Sequence, residues 1–123
     1  MDLIHPLVEA YAERYTSSED ELIAEVGAFT RAHHPEQHML SGHLQGKLLE
    51  MISRMVAPRR ILEIGTFTGY SALCLAKGLT ADGQLHTIEL READAATARG
   101  FFARSGQAGQ IILHTGNALE IIP

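Results

Sequence analysis

Two hydrophobic periodicities divide the chain. Up to residue 57, apolar side chains recur every three or four positions. Leu7, Val8, Tyr11 and Tyr15 predict a helix over Leu3 to Tyr15, with Pro6 in the first turn, where a missing N–H costs nothing. Ser18 followed by Glu21 reads as a capping box for a second helix through Leu22, Ile23, Val26 and Phe29 that ends before Pro35. After a loop, HPEQHMLSG, a third helix is expected from about His43 to Val56. Leu44, Leu48, Leu49, Ile52, Met55 and Val56 form its apolar side, and Pro58 closes it.

From residue 60 the pattern changes to short apolar runs alternating with helical ones. It predicts a strand over Arg60 to Ile64, a helix over Tyr70 to Gly78, a turn at ADG and a strand over Gln84 to Glu89. A helix over Glu92 to Ser105, a strand over Gln110 to His114 and a helical turn over Ala118 to Ile122 follow. Such alternation implies an α/β fold with parallel strands and right-handed crossovers. The first strand, with Ile61, Leu62 and Ile64, is expected to be buried on both faces. There are no repeats, low-complexity tracts or linkers, so the expectation is one domain. Residues 1–57 form a helical cap, and residues 58–123 a ligand-binding half-sheet.

Chemistry concentrates in Ile61 to Ser71, ILEIGTFTGYS. Gly65 lets the backbone turn where a side chain would clash, Gly69 permits close approach, and the helix starting near Tyr70 aims free N–H groups at whatever lies above the loop. Glycines also punctuate βα turns for structural reasons alone. A second landmark favours a ligand: the strand QLHTIE ends in Glu89, about 20 residues past the loop, where a carboxylate can accept both hydroxyls of a ribose. Glu63, inside the first strand, must be paired, face a polar cleft or reach solvent at the strand end. Thr66 stands where a dinucleotide fingerprint needs its second glycine, and no GxxxxGK[ST] occurs. A single nucleoside without phosphates therefore fits better than NAD or a nucleoside triphosphate.

The run LEIGTFTGYSALCLAKGL, preceded by MLSGHLQGKLLEMI and followed by HTIEL, resembles the small-molecule O-methyltransferases of the caffeoyl-CoA and catechol type, over about residues 36 to 123. The resemblance implies the N-terminal half of a Rossmann-like class I methyltransferase fold and S-adenosylmethionine as cofactor. It places Glu63, Gly65, Thr66, Phe67, Gly69, Tyr70 and Ser71 around the methionine end, Glu89 at the ribose hydroxyls, and Asn117 and Ala118 at the adenine edge. The family more often has Asp where Asn117 stands; Asn can still accept through its carbonyl. Met39 matches a methionine lining the cofactor pocket, although an apolar gap-filler explains it equally. In that family the sequence beyond the third strand carries the acidic ligands of a divalent metal and the lysine or histidine that assists deprotonation. None can be carried onto this chain, so no catalytic or metal residue is assigned.

Composition narrows the partners. A net charge of -5 without a basic stripe argues against nucleic acid, and no apolar run approaches a membrane span. The amino terminus, with Asp2 and Glu9, does not resemble a signal peptide, and the lone Cys74 lies in an apolar run that reads as helix packing; a cytoplasmic protein is expected. His33, His34, His38 and His43 fall close together, but without a cysteine partner or HExxH they read as a polar helix end and loop. His86 and His114 are expected to be satisfied by hydrogen bonds.

Three functions remain. The first is an O-methyltransferase for a small, hydroxylated, aromatic acceptor, here truncated and inactive alone. The second is a non-catalytic S-adenosylmethionine-binding or oligomerisation module. The third, a nicotinamide-dependent oxidoreductase, is disfavoured by Thr66. With half a doubly wound sheet, the first strand becomes an open edge, so a homo-oligomer formed through it is expected.

Overall fold

The computed structural model describes residues 3–123; Asp2, used above in reading the amino terminus, lies outside them. The element order is α1 (Pro6–Tyr15), α2 (Glu21–His33), a 3-10 turn (Gln37–Met39), α3 (Gly42–Val56), β1 (Arg60–Ile64), α4 (Tyr70–Ala76), β2 (Gln84–Glu89), α5 (Glu92–Arg104), β3 (Ile111–Thr115) and α6 (Ala118–Ile121). β1 and β2 match the expected bounds, the six α-helices and β3 differ at their ends by three residues or fewer, and the 3-10 turn falls inside the expected loop.

The three strands are parallel in the order β1-β2-β3, with Ile61 opposite Leu85 and Leu85 opposite Ile111. A period of two then puts Ile61, Glu63, Leu85, Thr87, Glu89, Ile111 and Leu113 on one face. Leu62, Ile64, His86, Ile88, Ile112 and His114 occupy the other. Both crossovers step in the same direction across the sheet. Right-handed connections therefore place α4 and α5 over the same face. There Leu85 and Ile111 join Ile23 and Val26 of α2, Tyr70, Leu73 and Cys74 of α4, and Ala98, Phe101 and Phe102 of α5 in the hydrophobic core. On the opposite face only Ile88 is buried; Leu62 is 56% and Ile64 66% exposed. The expectation that β1 is buried on both faces is thus corrected, because no crossover in the chain turns back to the second face.

The amphipathic helices carry a second correction. The surface of α3 that meets α4 is made of small residues: a Cβ on Gly46 would lie 2.7 Å from the Tyr70 ring and 2.9 Å from Cys74 Sγ, and Ser53 is buried. Gly78, just past α4, approaches the Ser53 backbone so closely that a Cβ there would be 2.2 Å from its carbonyl carbon. With the small side turned in, Leu48, Ile52, Met55 and Val56 of the apolar stripe are exposed, while Leu49 packs against the core and Leu44 is half-buried. Helix α1 behaves alike: Leu7, Val8, Tyr11 and Tyr15 are all exposed.

Helix α2 starts at Glu21, not Ser18. Asp20 is its N-cap, with Oδ1 accepting the N–H groups of Leu22 (2.8 Å) and Ile23 (3.4 Å). Its Oδ2 takes a 2.7 Å bond from Lys77 Nζ, which holds the Asp20 carboxyl below the usual carboxylate range. Cys74 is a core residue, and burial pushes its thiol up to about 12, consistent with packing and not nucleophilic chemistry. Among the described residues, no helix is long and apolar enough to cross a membrane.

Candidate functional site

The carboxyl ends of the strands are organised by the β1–α4 loop. The N–H groups of Gly65 and Thr66 both donate to Ile88 O (2.8 and 3.2 Å), which hooks the loop over β2. Gly65 has φ +94 and nothing within 4 Å of where a Cβ would stand, so its backbone faces open space. Gly69, at φ +101, has a different reason to be glycine: a Cβ would meet the Phe102 ring at 2.8 Å, so it lets α5 close against the start of α4. Between them Phe67 is held at φ 53, a left-handed conformation costly for a bulky residue. Its N–H donates to Glu89 Oε1 at 2.8 Å.

Glu89 closes β2 and is 8% exposed. Its Oε2 accepts the Arg91 N–H at 3.0 Å, so two backbone N–H groups fix the carboxylate and leave one acceptor site on each oxygen. Beyond β3, Gly116 N–H donates to Glu89 O (2.8 Å), and Asn117 Oδ1 caps α6 by accepting from Leu119 N–H (2.9 Å). The cap uses one of the two acceptor sites of the Asn117 carbonyl, so the other and the amide N–H₂ are both open to a ligand. Gly65, Glu89, Asn117 and Ala118 meet with Ile64, Ile88, Leu90 and Gly116 around a cleft of about 270 Å³. A larger hollow of about 730 Å³ lies elsewhere, where Glu9 and Glu13 of α1 face Arg31 and the His38–Leu44 region. It lacks the convergence of strand ends and oriented backbone groups seen in the smaller cleft.

The remaining predicted residues are not cleft-lining. Glu63 accepts from Ser71 Oγ (2.6 Å) and from Thr87 Oγ1 (2.7 Å), and Thr66 Oγ1 meets Thr87 Oγ1 at 2.6 Å. Burial pushes the Glu63 carboxyl above its ordinary value, the two hydroxyl donors oppose that rise, and the nearby Glu89 charge adds to it. Tyr70 is buried with its hydroxyl donating to Glu19; burial first and Glu19 second make that proton harder to remove. Thr66, Tyr70, Ser71 and Glu63 thus form a polar layer around the loop, with their side chains turned away from the cleft. Met39, on the 3-10 turn, is 47% exposed and does not line the cleft.

Sequence reading did not pick out Ile64, Ile88, Leu90 and Gly116. The first three are apolar residues at strand ends, a position that marks them as cleft floor only once the register is known. The histidines go to separate tasks: His34 binds Asp94, His43 binds Ser17 O, and His86 and His114 bond each other at 3.0 Å across β2 and β3. Among the described residues, no three metal-ligating side chains converge.

Parallel strands ending in a glycine-bounded turn, with a carboxylate fixed at the end of the second strand, define a Rossmann-like α/β protein. In that class the ligand lies over the carboxyl ends of the strands. The chain belongs to the O-methyltransferase family, whose model matches residues 13–123. A catechol O-methyltransferase of Mycobacterium tuberculosis is 31% identical over 96% of this chain and 53% of that protein. One from Niastella koreensis is 37% identical over 64% of this chain and 36% of that protein. Among solved structures, the O-methyltransferase TomG of Streptomyces achromogenes, in complex with SAM, superposes with a TM-score of 0.85 at 38% identity, covering 95% of this chain and 52% of TomG. SAH-bound PaMTH1 of Podospora anserina gives 0.87 at 28% identity, covering 99% and 56%. The chain therefore has the amino-terminal half of the Rossmann-like fold these structures share, and it spans about half the length of the curated relatives it matches, or less.

Proposed function

We propose that this chain supplies the S-adenosylmethionine-binding half of a cytoplasmic O-methyltransferase that acts on a small, hydroxylated, aromatic acceptor. The carrying observation is Glu89: a buried carboxylate fixed by two backbone N–H groups, with one acceptor site left on each oxygen, suits the paired hydroxyls of a ribose. The residues present fit the cofactor. Gly65 leaves open space over its backbone, Ile64 and Leu90 offer apolar surface, and the Asn117 amide can donate to a ring nitrogen. Phe67 and Gly69 shape the loop, Ala118 leaves room at the start of α6, and Thr66, Tyr70, Ser71 and Glu63 support it from behind.

When bound, the sulfonium supplies an activated methyl group; this chain's residues bind and orient, and aligning acceptor oxygen, methyl carbon and sulfur is the main catalytic need. A cleft of about 270 Å³ is below the roughly 300 Å³ of a small-ligand site. Deprotonation of the acceptor and any divalent metal are assigned to groups outside these 123 residues, so the chain alone is expected to be inactive. The exposed β1 edge, with Leu62 and Ile64 open beside it, favours self-association of the chain and is the observation behind a second reading, a cofactor-binding or oligomerisation module.

The test is calorimetry with S-adenosylhomocysteine and with NAD. Binding of S-adenosylhomocysteine alone is expected. Glu89→Ala should weaken it by about 1.5 to 3 kcal/mol, the scale for hydrogen bonds to a charged group. An unchanged dissociation constant in that variant, or tight binding of NAD, would sink the reading.

A further inference from the structure

Outside the cleft, one contact joins three elements that share no sequence neighbourhood. His34 caps the carboxyl end of α2, and its Nε2 lies 2.8 Å from Oδ1 of Asp94 in the first turn of α5. Its Nδ1 accepts the Glu36 N–H at 2.9 Å, and its ring packs edge-on against Phe67 with centroids 4.5 Å apart. A backbone N–H can only donate. Nδ1 is therefore the acceptor, the ring proton is on Nε2, and that proton is donated to Asp94. Asp94 is 7% exposed, and its other oxygen, Oδ2, is buried without a hydrogen-bond partner; the Arg91 guanidinium lies 3.9 Å away. One turn earlier in α2, the buried Thr30 hydroxyl meets the Thr68 hydroxyl at 2.8 Å. The end of α2 thus grips the β1–α4 loop at two consecutive residues, Phe67 and Thr68.

We propose that His34 and Asp94 are positioning residues for the cofactor loop. By bracing the His34 ring against Phe67, the Nε2–H to Asp94 bond holds Phe67 in its left-handed conformation, with its N–H aimed at Glu89. The strain at Phe67 requires such a brace, since a bulky residue at φ 53 relaxes unless its surroundings prevent it. Asp94 also links this brace to the helix that follows Glu89 and Arg91, so the two partners of the Glu89 carboxylate are set by one contact. The functional consequence rests on the cleft being the cofactor site, but the positioning itself does not.

Two variants at Asp94 test the bond while leaving the His34 ring and its Glu36 turn in place. Asp94→Asn keeps a side-chain oxygen that can accept the Nε2–H, and Asp94→Ala removes the acceptor. Amide hydrogen exchange, measured by NMR without ligand, should show the Phe67 N–H of Asp94→Asn within about threefold of the parent. In Asp94→Ala it should be about tenfold faster or more, with the Leu85 amide unchanged in both. Equal Phe67 rates in the two variants, or equal acceleration at Leu85 and Phe67, would overturn the role. S-adenosylhomocysteine affinity should follow the Phe67 rates. Failure of the parent to bind it would refute the cofactor reading while the exchange comparison still decides the positioning role.

Discussion

The two faces of the sheet carry the same kind of residue and meet opposite fates. Ile61 and Leu62 are neighbours in β1; Ile61 turns toward α4 and packs against the core, while Leu62 is 56% exposed. Leu85 of β2, on the covered face, is fully buried, whereas His86 beside it is only half-buried. The difference is not in the side chains but in the direction of the two crossovers, which put every covering helix on one side. Stability should therefore be carried by one face, and association by the other.

The largest effect is expected at the centre of the covered face. Leu85→Ala should cost about 3 kcal/mol in denaturant unfolding, because the removed side chain leaves a cavity under α4 and α5. A cost below about 1 kcal/mol would mean that this face is not the core.

A smaller effect is expected at Glu63, on the same face but at its rim. Its carboxyl is raised in the folded state by burial first, with the two hydroxyl bonds opposing. The folded protein thus binds that proton more tightly than the unfolded chain does. The resulting stabilisation is full below the ordinary carboxylate value and is lost as pH rises through the folded one. Glu63→Gln should remove this loss, so that its melting temperature falls less than the parent's between pH 4.5 and 8. Asp20, lowered chiefly by its bond from Lys77, acts oppositely and in a different window. Its contribution is present above its ordinary value of 3.8 and lost as pH falls through the lowered one. Parallel melting curves for parent and Glu63→Gln would remove the assigned role of burial.

The smallest effect on stability is expected on the open face. Leu62→Lys should change unfolding free energy by less than about 0.5 kcal/mol, as at an ordinary surface position. The same change should shift sedimentation toward monomer, since lysine on an edge strand opposes edge pairing. A monomeric parent at micromolar concentration would end the self-association proposal, and a cost of several kcal/mol in Leu62→Lys would show that the open face is covered after all.

These contrasts explain what was legible in the sequence. β2 could be read to its ends because a Gly83 turn precedes it and a charged residue closes it. β1 could be read because an arginine pair and Gly65 bound its apolar run. Which face of β1 would be covered could not be read, since Leu62 and Ile64 are as apolar as Ile61 and burial depends on what else packs there. The stripe of α3 misled for the same reason: periodicity reports an apolar side, and here Gly46 and Ser53 make the closer contact with α4. At α2, Ser18 and Asp20 both qualify as caps. Asp20 prevails through a lysine 57 positions away. In the cleft, Gly65 and Glu89 stood out because local backbone and strand-end rules apply to them. The partners of Glu63 and Asp94 did not, because Thr87 and His34 reach them only through tertiary folding.

The hydroxyl layer behind the loop also has a direction. With Glu63 ionised, Thr87 must give its hydrogen to the carboxylate, so at the 2.6 Å contact with Thr66 it can only receive one. The Thr66 hydrogen is thereby committed to point down into the sheet, and the chain of protons runs one way, toward a single negative charge. Protonating Glu63 removes that demand and lets the chain run in reverse. The charge state of one half-buried carboxyl in β1 thus sets the hydrogen-bond polarity directly beneath the turn that carries Phe67.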